Sequence, residues 1–400
     1  MEITVLCRVV DNYGDIGFVY RLARSIREIS RGIRLSLIVS DLEAFARIVD
    51  IRISAGKKYQ RRGGWRIFDW NAAEECGRYF MRHEPLYIVE CFQCGRPDWL
   101  DGILFRKDKK SVTHMLNLEY LTAETWADEF HLLKSGTRSP LVRKVNFMPG
   151  FTRRTAGLVL DAHFTKCVRN RKLAMADVAP LLPPDASRAL YDPGIFCVTV
   201  FSYERDFTCV AEALSKKGNA HVLLAEGPGK DCFLSAMRES KSAFPVTVLP
   251  PLPQTAWDAL LCCSDFNFIR GEDSFSRACL SGIPFIWHAY RQSEGTHLIK
   301  VSALLNVMEN FFAEKEDAEF FRLYRKTMLW YNTRDGDADG ICAEAAECMR
   351  EAEAPTPEAL LSVISHGGCG GPFRDFSDYL FSNGNLTESL IAYFRNLQDK

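Results

Sequence analysis

Neither sign of charge dominates this sequence. Its 50 Lys and Arg stand against 51 Asp and Glu, a net of -1, so a chain-wide attraction to nucleic acid or an anionic membrane is not expected. Long apolar runs are missing as well: none approaches the ~20 residues that a membrane-spanning helix needs. The opening MEITVLCRVVDNYGD has no basic segment ahead of an apolar one and no small-residue cleavage site. We therefore expect a cytoplasmic chain with no membrane and no nucleic-acid partner. Paired metal-binding motifs are also wanting. Of 14 cysteines, only Cys91-Phe92-Gln93-Cys94 forms a C-x-x-C, with no second pair and no H-x3-H nearby, so zinc is not expected. Cys7, Cys197, Cys209, Cys262, Cys263 and Cys279 lie in apolar segments, where a free thiol acts as a small hydrophobe. What is present is 47% hydrophobic and 12% aromatic residues over 400 positions, enough for a large core and two or three domains.

Short β-rich runs alternate with amphipathic stretches in two separate series. Ile3–Val10, Leu35–Val39, Leu86–Phe92 and Val112–Leu118 read as strands in the first third, with a helical pattern from about Phe18 to Ile29. Phe196–Phe201, His221–Ala225, Val246–Leu249, Phe266–Ile269 and Pro284–Trp287 repeat the layout later. Strands separated by helical patterns predict βαβ units and parallel sheets, here in two doubly wound α/β domains. Thr152–Asp192 contains no convincing strand and reads as a partly helical connector. Beyond Ile299 the chain is mostly helical, broken by His366-Gly367-Gly368-Cys369-Gly370-Gly371-Pro372 and ending in one amphipathic segment, about Phe373–Leu397.

In open α/β sheets ligands bind beyond the carboxyl ends of the strands, and the polar clusters fall there. Asp11-Asn12-Tyr13-Gly14-Asp15-Ile16-Gly17 follows the first strand. Its carboxylates would repel a pyrophosphate and suit a cationic or hydroxylic group. The plainer alternative is a turn in which Asp11 forms an Asx turn and Asp15 caps the next helix. Arg270-Gly271-Glu272-Asp273-Ser274 ends a later strand and opens a helix. There Asp273 or Ser274 would cap the helix, its N–H groups would form an anion site, and Arg270 would offer a planar fork to phosphate. An N-capped core helix with a surface salt bridge fits the same residues. Trp257, positioned to stack on a base, Gln254, positioned to read a base edge, and the aromatics Phe201 and Tyr203 are candidates for the same crevice, though segments of this kind more often serve plain packing. His297 reads as structural. A ligand held between two domains, as in a nucleotide-sugar transferase, accounts for the shared location.

CRVVDNYGDIG at Cys7–Gly17, NLEYLTAE at Asn117–Glu124, MPGFT at Met148–Thr152, LPQ at Leu252–Gln254, FIRGEDSFSRA at Phe268–Ala278 and WHAYRQSEGTHLIK at Trp287–Lys300 together resemble the elongation factor P arginine rhamnosyltransferases, over most of the chain and in that family's order. The resemblance implies a GT-B fold, two Rossmann-like domains facing across a cleft. Residues 1–155 would form the acceptor domain, with a C-terminal helix 375–400 packing back on it. Residues 156–190 would be a connector and 191–374 the nucleotide-sugar domain. It implies inverting transfer of L-rhamnose from dTDP-β-L-rhamnose to an arginine of elongation factor P, with no cofactor and no metal. Asp11, Asp15 and Glu272 match the family's catalytic positions. Phe201, Tyr203, Gln254, Trp257, Arg270, Asp273, Ser274, Asn12 and Gly14 match positions at the donor. The sequence departs from the family's form at Pro251, Trp257, the region after Tyr203 and Cys91–Asp98. The alternatives are a GT-B enzyme with another nucleotide sugar or acceptor, and a non-catalytic nucleotide-sugar-binding protein.

Overall fold

The computed structural model describes residues 1–8, 14–49, 51–333, 340–366 and 371–398. The chain divides into two compact units, Met1–Asp161 with Asn383–Lys400, and Ala162–Ser382.

The first unit is built on a sheet of β1 (Glu2–Cys7), β2 (Arg34–Val39), β3 (Tyr59–Arg62), β4 (Trp65–Asp69), β5 (Tyr87–Cys91), β6 (Thr113–Leu118), β7 (Lys134–Ser135) and β8 (Val142–Phe147), in the order β3-β4-β2-β1-β5-β6-β8-β7. Its pairs are parallel except β3–β4 and β7–β8. Alternate residues of the central strands feed opposite cores. Ile3, Val5 and Cys7 join Leu35, Leu37 and Val39 on one face, while Leu6 and Ile38 join the other, the period-two pattern of a sheet covered on both sides. Helix Gly14–Ile29 covers the first face through Ile16, Val19, Tyr20, Leu22, Ala23 and Ile26, all buried at helical spacing. Truncating one of them, Leu22→Ala, is expected to cost about 2–5 kcal/mol.

Four strands here, β3, β4, β7 and β8, go beyond the sequence reading, and each carries charge where a strand signal needs apolar residues. In β4, Arg66 Nη1 pairs with Glu2 Oε1 at 3.0 Å. In β8, Lys144 reaches Glu90 of β5 at 3.1 Å, and Asn146 pairs in register with Asn117, itself opposite Glu90. The charged edge strand β3, YQRR, fits the way exposed sheet edges are protected.

The second unit holds the five-stranded parallel sheet β9 (Phe196–Val200), β10 (Ala220–Leu224), β11 (Val246–Val248), β12 (Phe266–Arg270) and β13 (Phe285–His288), in the order β11-β10-β9-β12-β13. The expected connector is largely helical, with helices Ala162–Arg169, Arg171–Val178 and Pro184–Tyr191. The first two pack on helix Gln254–Cys263 of this unit.

The expected single terminal segment is two helices, Pro372–Ser382 and Leu386–Gln398. Gly384, at φ +99°, supplies a turn that a side chain would resist. The first packs on helix Glu272–Ser281 in the second unit. The second packs on helix Gly14–Ile29 in the first, adding Leu386, Leu390, Ile391 and Phe394 to its core. Asn385 fastens that return: its Nδ2 donates to Leu160 O at 2.9 Å, and its Oδ1 accepts from Leu160 N and Thr387 N. Among the described residues, no helix is long and apolar enough to cross a membrane.

Candidate active site

Each sheet has one place where the chain reverses its direction of winding. In the second unit it lies between β9 and β12, because β9 leads outward to β10 and β11 while β12 leads the other way to β13. Loops at such a switch point part and leave a crevice. The residues flanking it are Phe201 and Tyr203 after β9 and Arg270 at the end of β12. They form one packed group: the Arg270 guanidinium carbon lies 4.3 Å from the Phe201 ring centre and 4.8 Å from that of Tyr203. Arg270 Nε is shielded from solvent and has no hydrogen-bond partner among the described residues. A guanidinium fixed by rings and left with an unused donor is poised for an anion.

Glycines let the backbone close around this group. A side-chain carbon at Gly229, the start of helix Gly229–Glu239, would stand 2.8 Å from the carbonyl oxygens of both Ser202 and Tyr203. Gly271, at φ +72°, turns the chain from β12 into helix Glu272–Ser281 and is its N-cap, with no side-chain cap bond. Neither Asp273 nor Ser274 caps the helix; both lie in its first turn. The left-handed turn at Gly271 begins the helix earlier than the side-chain capping rule places it. The first N–H groups of the helix are therefore not used by a capping side chain, which favours an anion there.

Asp273 and Ser274 instead fasten the neighbouring helix, Gln254–Cys263. Gln254 Nε2 donates to Asp273 Oδ2 at 3.2 Å, and Trp257 Nε1 donates to Ser274 Oγ at 3.1 Å. The Trp257 ring meets Phe201 edge-on at 5.1 Å. The structure thus brings Phe201, Tyr203, Gln254, Trp257, Arg270, Asp273 and Ser274 together through a chain of direct contacts. Glu272 is held by Lys300, whose Nζ lies 3.4 Å from its Oε1.

Beside Tyr203 a cavity of about 640 Å³ is lined by His288, Tyr290, Arg291, Gln292 and Asn332, among others. His288 Nδ1 hydrogen-bonds Ser202 Oγ at 2.8 Å, and that hydroxyl meets Tyr331 Oη at 3.1 Å. Burial pushes the Tyr331 phenol up to about 12, so it stays protonated. His288 also packs edge-on against Tyr203 at 5.3 Å. The sequence reading passed over His288 because a lone His in an apolar strand carries no distinctive spacing. His297 is structural: its Nδ1 accepts from Gln292 N at 3.4 Å, and its Nε2 faces the Asn332 carbonyl oxygen at 3.1 Å.

In the first unit the winding reverses between β1 and β5. Asp11 and Asn12, expected at this point, lie outside the described residues. Gly14 opens helix Gly14–Ile29. Asp15 is the second residue of that helix rather than its cap, and it is buried, 4% exposed. Tyr120 Oη donates to Asp15 Oδ1 at 3.3 Å, and the Tyr120 ring stacks on Phe92 at 4.4 Å. Burial, reinforced by the Asp15 carboxylate, pushes the Cys7 thiol well up. Phe92 and Gln93, inside the C-x-x-C, both have left-handed backbones, φ 58° and 50°, a costly conformation for side-chain-bearing residues. Gln93 Nε2 donates to Glu119 Oε1 at 2.8 Å. Gln93, Asn117, Glu119, Trp126, Phe130 and Asn146 border a cavity of about 530 Å³. Tyr120, Trp126, Phe130, Leu132 and Leu133 are all exposed, and Trp126 meets Phe130 edge-on at 5.5 Å, large apolar side chains of the kind found at interaction surfaces. The described cysteines are free thiols.

Comparison with known proteins identifies the family and the fold. The family model for elongation factor P (EF-P) rhamnosyltransferase EarP matches residues 3–394. The protein-arginine rhamnosyltransferase of Pseudomonas aeruginosa is 30% identical over 364 residues, 87% of this chain and 92% of the relative. That of Shewanella oneidensis is 32% identical over 327 residues, 76% and 80% of the two chains. A solved structure described as the structural basis for EarP-mediated arginine glycosylation of translation elongation factor EF-P aligns with a TM-score of 0.52 at 20% identity, covering 99% of each chain. That likeness, with the two doubly wound units, identifies a GT-B type α/β fold of two Rossmann-like domains.

Proposed function

The chain belongs to the elongation factor P rhamnosyltransferase family, and from that premise we propose that it transfers L-rhamnose from dTDP-β-L-rhamnose to an arginine side chain of elongation factor P, with inversion, in the cytoplasm. The observation that carries the donor half is Arg270, clamped by Phe201 and Tyr203 at a switch point with an Nε that has no partner among the described residues. Arg270 and the opening N–H groups of helix Glu272–Ser281 stabilise the negative charge that develops on the departing diphosphate. The transfer then needs no metal to hold the leaving group. Gln254 and Trp257 orient the nucleotide, and Asp273 and Ser274 brace those two side chains.

The acceptor guanidinium is charged at any cellular pH and has no free lone pair. Asp11 and Asp15 hold it by charge-assisted hydrogen bonds. As the N–C bond to the sugar forms and the C–O bond to the diphosphate breaks, the proton leaving nitrogen passes to a carboxylate, assigned to Asp11. A carboxylate is a weak base, so orientation and desolvation supply much of the acceleration. Asn12 and Gly14 are assigned to donor binding by the family's pattern. Glu272, fixed by Lys300, positions the sugar. Tyr120, which touches Asp15, and the exposed Trp126, Phe130 and Leu133 give a folded protein acceptor an apolar footing.

The test is to incubate the purified chain with dTDP-β-L-rhamnose and elongation factor P and to read the factor's intact mass. One added deoxyhexose, mapped to an arginine, is expected. An unmodified factor alongside transfer from another nucleotide sugar or to another acceptor would refute the assignment. An absence of any nucleotide-sugar binding would favour a non-catalytic protein.

A further inference from the structure

Helices Ala162–Arg169 and Arg171–Val178 are joined by Asn170, whose side chain accepts from Leu173 N and starts the second helix. His163 and Cys167 stand four residues apart on one helical face. Asp177 comes to meet them from the second helix. His163 Nε2 lies 2.8 Å from Asp177 Oδ2. Cys167 Sγ lies 3.7 Å from the same oxygen and 3.9 Å from His163 Nδ1. One donor atom from each residue falls within 4.8 Å of the other two.

We propose that His163, Cys167 and Asp177 form a binding site for a zinc-class divalent cation, a structural staple between the two helices. Zinc–sulfur, –nitrogen and –oxygen bonds of about 2.3, 2.0 and 2.0 Å in a tetrahedron set donor atoms about 3.3–3.6 Å apart. A single ion takes only one of the two His163 nitrogens; with that nitrogen the three donors lie within 4.8 Å of one another, and Cys167 Sγ and Asp177 Oδ2 already stand 3.7 Å apart, so rotation of the solvent-facing His163 and Asp177 side chains closes the set. The donor set, one soft sulfur with a nitrogen and an oxygen, is the one zinc selects and magnesium or calcium does not. Charge supports it too. Cys167 is buried at 1% exposure, where a bare thiolate is costly, but one thiolate and one carboxylate neutralise a dication. The thiol proton is released to water on binding. The His163 and Asp177 side chains are 39% and 33% exposed, so an ion enters from solvent and keeps water as a further ligand. Spacing rules built on C-x-x-C and H-x3-H pass over this H-x3-C because its third ligand arrives from the next helix. None of the residues assigned to transfer takes part.

The experiment uses the full chain, stripped with a chelator and titrated with Co²⁺ alone, then with Zn²⁺. One equivalent of Co²⁺ is expected to bind with a thiolate-to-cobalt charge-transfer band, which Zn²⁺ abolishes while raising the melting temperature. Cys167→Ser is expected to remove the band. His163→Ala and Asp177→Asn, both at solvent-facing side chains, should weaken Co²⁺ binding at least tenfold with an unchanged circular dichroism spectrum. A wild-type chain without the band refutes the site and leaves the three residues as a hydrogen-bonded relay. So does a band that survives Cys167→Ser or is lost instead in Cys262→Ser, the neighbouring buried thiol. Unchanged affinity in both solvent-facing variants refutes it equally.

Discussion

Replacing Arg270 by alanine separates the two things this side chain does. In the unliganded protein its guanidinium rests on two rings, Phe201 at 4.3 Å and Tyr203 at 4.8 Å. Contacts of this kind are worth about 0.5–1 kcal/mol each. Against them stands a shielded Nε with no partner among the described residues, an unmet donor that costs about 1–3 kcal/mol. The two roughly cancel, so Arg270→Ala should shift the melting temperature little. On the proposed role of Arg270, a bound diphosphate satisfies that donor, and charge-assisted hydrogen bonds contribute about 1.5–3 kcal/mol. Losing about 2–3 kcal/mol weakens binding roughly 30- to 140-fold. Isothermal titration of dTDP into both proteins, with melting curves alongside, measures both quantities. Arg270→Lys keeps the charge but not the planar fork, so it should fall between wild type and alanine. A folded Arg270→Ala protein that binds dTDP like wild type would remove Arg270 from the diphosphate site and with it the metal-free account of the leaving group.

Asp15→Asn should cut turnover at least 100-fold with dTDP affinity unchanged, and Tyr120→Phe, which deletes the bond to Asp15, should cost about 0.5–1.5 kcal/mol in kcat/KM; near-wild-type turnover in Asp15→Asn would sink the acceptor assignment. Trp126→Ala combined with Phe130→Ala should raise KM for elongation factor P about tenfold at constant dTDP affinity, as for loss of two interface aromatics; an unchanged KM would place protein docking elsewhere. Gly229→Ala forces a carbon against the Ser202 and Tyr203 carbonyls, so dTDP binding should weaken by about 1–3 kcal/mol, as for an overpacked contact, and unchanged titration curves would contradict that. Burial raises the Glu84 carboxyl, but hydrogen bonds from Lys109 and Ser111 outweigh it and leave the pKa below its ordinary value, so the pair's stabilisation is complete above the unfolded carboxyl's pKa and is lost as pH falls through the folded one. Lys109→Met leaves Glu84 with Arg106 at 3.3 Å and should therefore destabilise by about 1–3 kcal/mol near neutrality, with the gap to wild type narrowing as the medium is acidified; a gap in urea midpoints that is constant with pH would refute the coupling.

How far the sequence could be read follows from where polar residues fall on the sheets. The central strands β1, β2, β9 and β12 are covered on both faces, and within each the apolar run is interrupted by only one uncharged polar residue, Thr4, Ser36, Thr199 and Asn267. β4 and β8 are interrupted by Arg66, Lys144 and Asn146, whose partners Glu2, Glu90 and Asn117 lie on other strands. No local window contains both halves of such a pair, so period and propensity miss them. Turn chemistry explains the error at the second helix start. Asp273 and Ser274 have the composition of caps, yet Gly271 reaches a positive φ and begins the helix first, freeing both side chains to hold Gln254 and Trp257.

The candidate site was legible for a topological reason more than a chemical one. In a parallel sheet every carboxyl strand end opens on the same edge, so polar residues that follow strands in sequence must gather there, whatever their order along the chain. Arg270 is separated by 67 residues from Tyr203 in number, yet sheet order makes β9 and β12 neighbours, and the guanidinium lands between the two rings. What spacing could not supply is the direction of each side chain: that Trp257 meets Phe201 by its edge and spends its N–H on Ser274, or that Asp15 turns inward to a tyrosine 105 positions away. Those directions decide the chemistry. The same carboxylate on a solvent-facing turn would have been a capping residue; buried beside Tyr120 at a switch point, it has the placement that the proposed hold on a guanidinium requires.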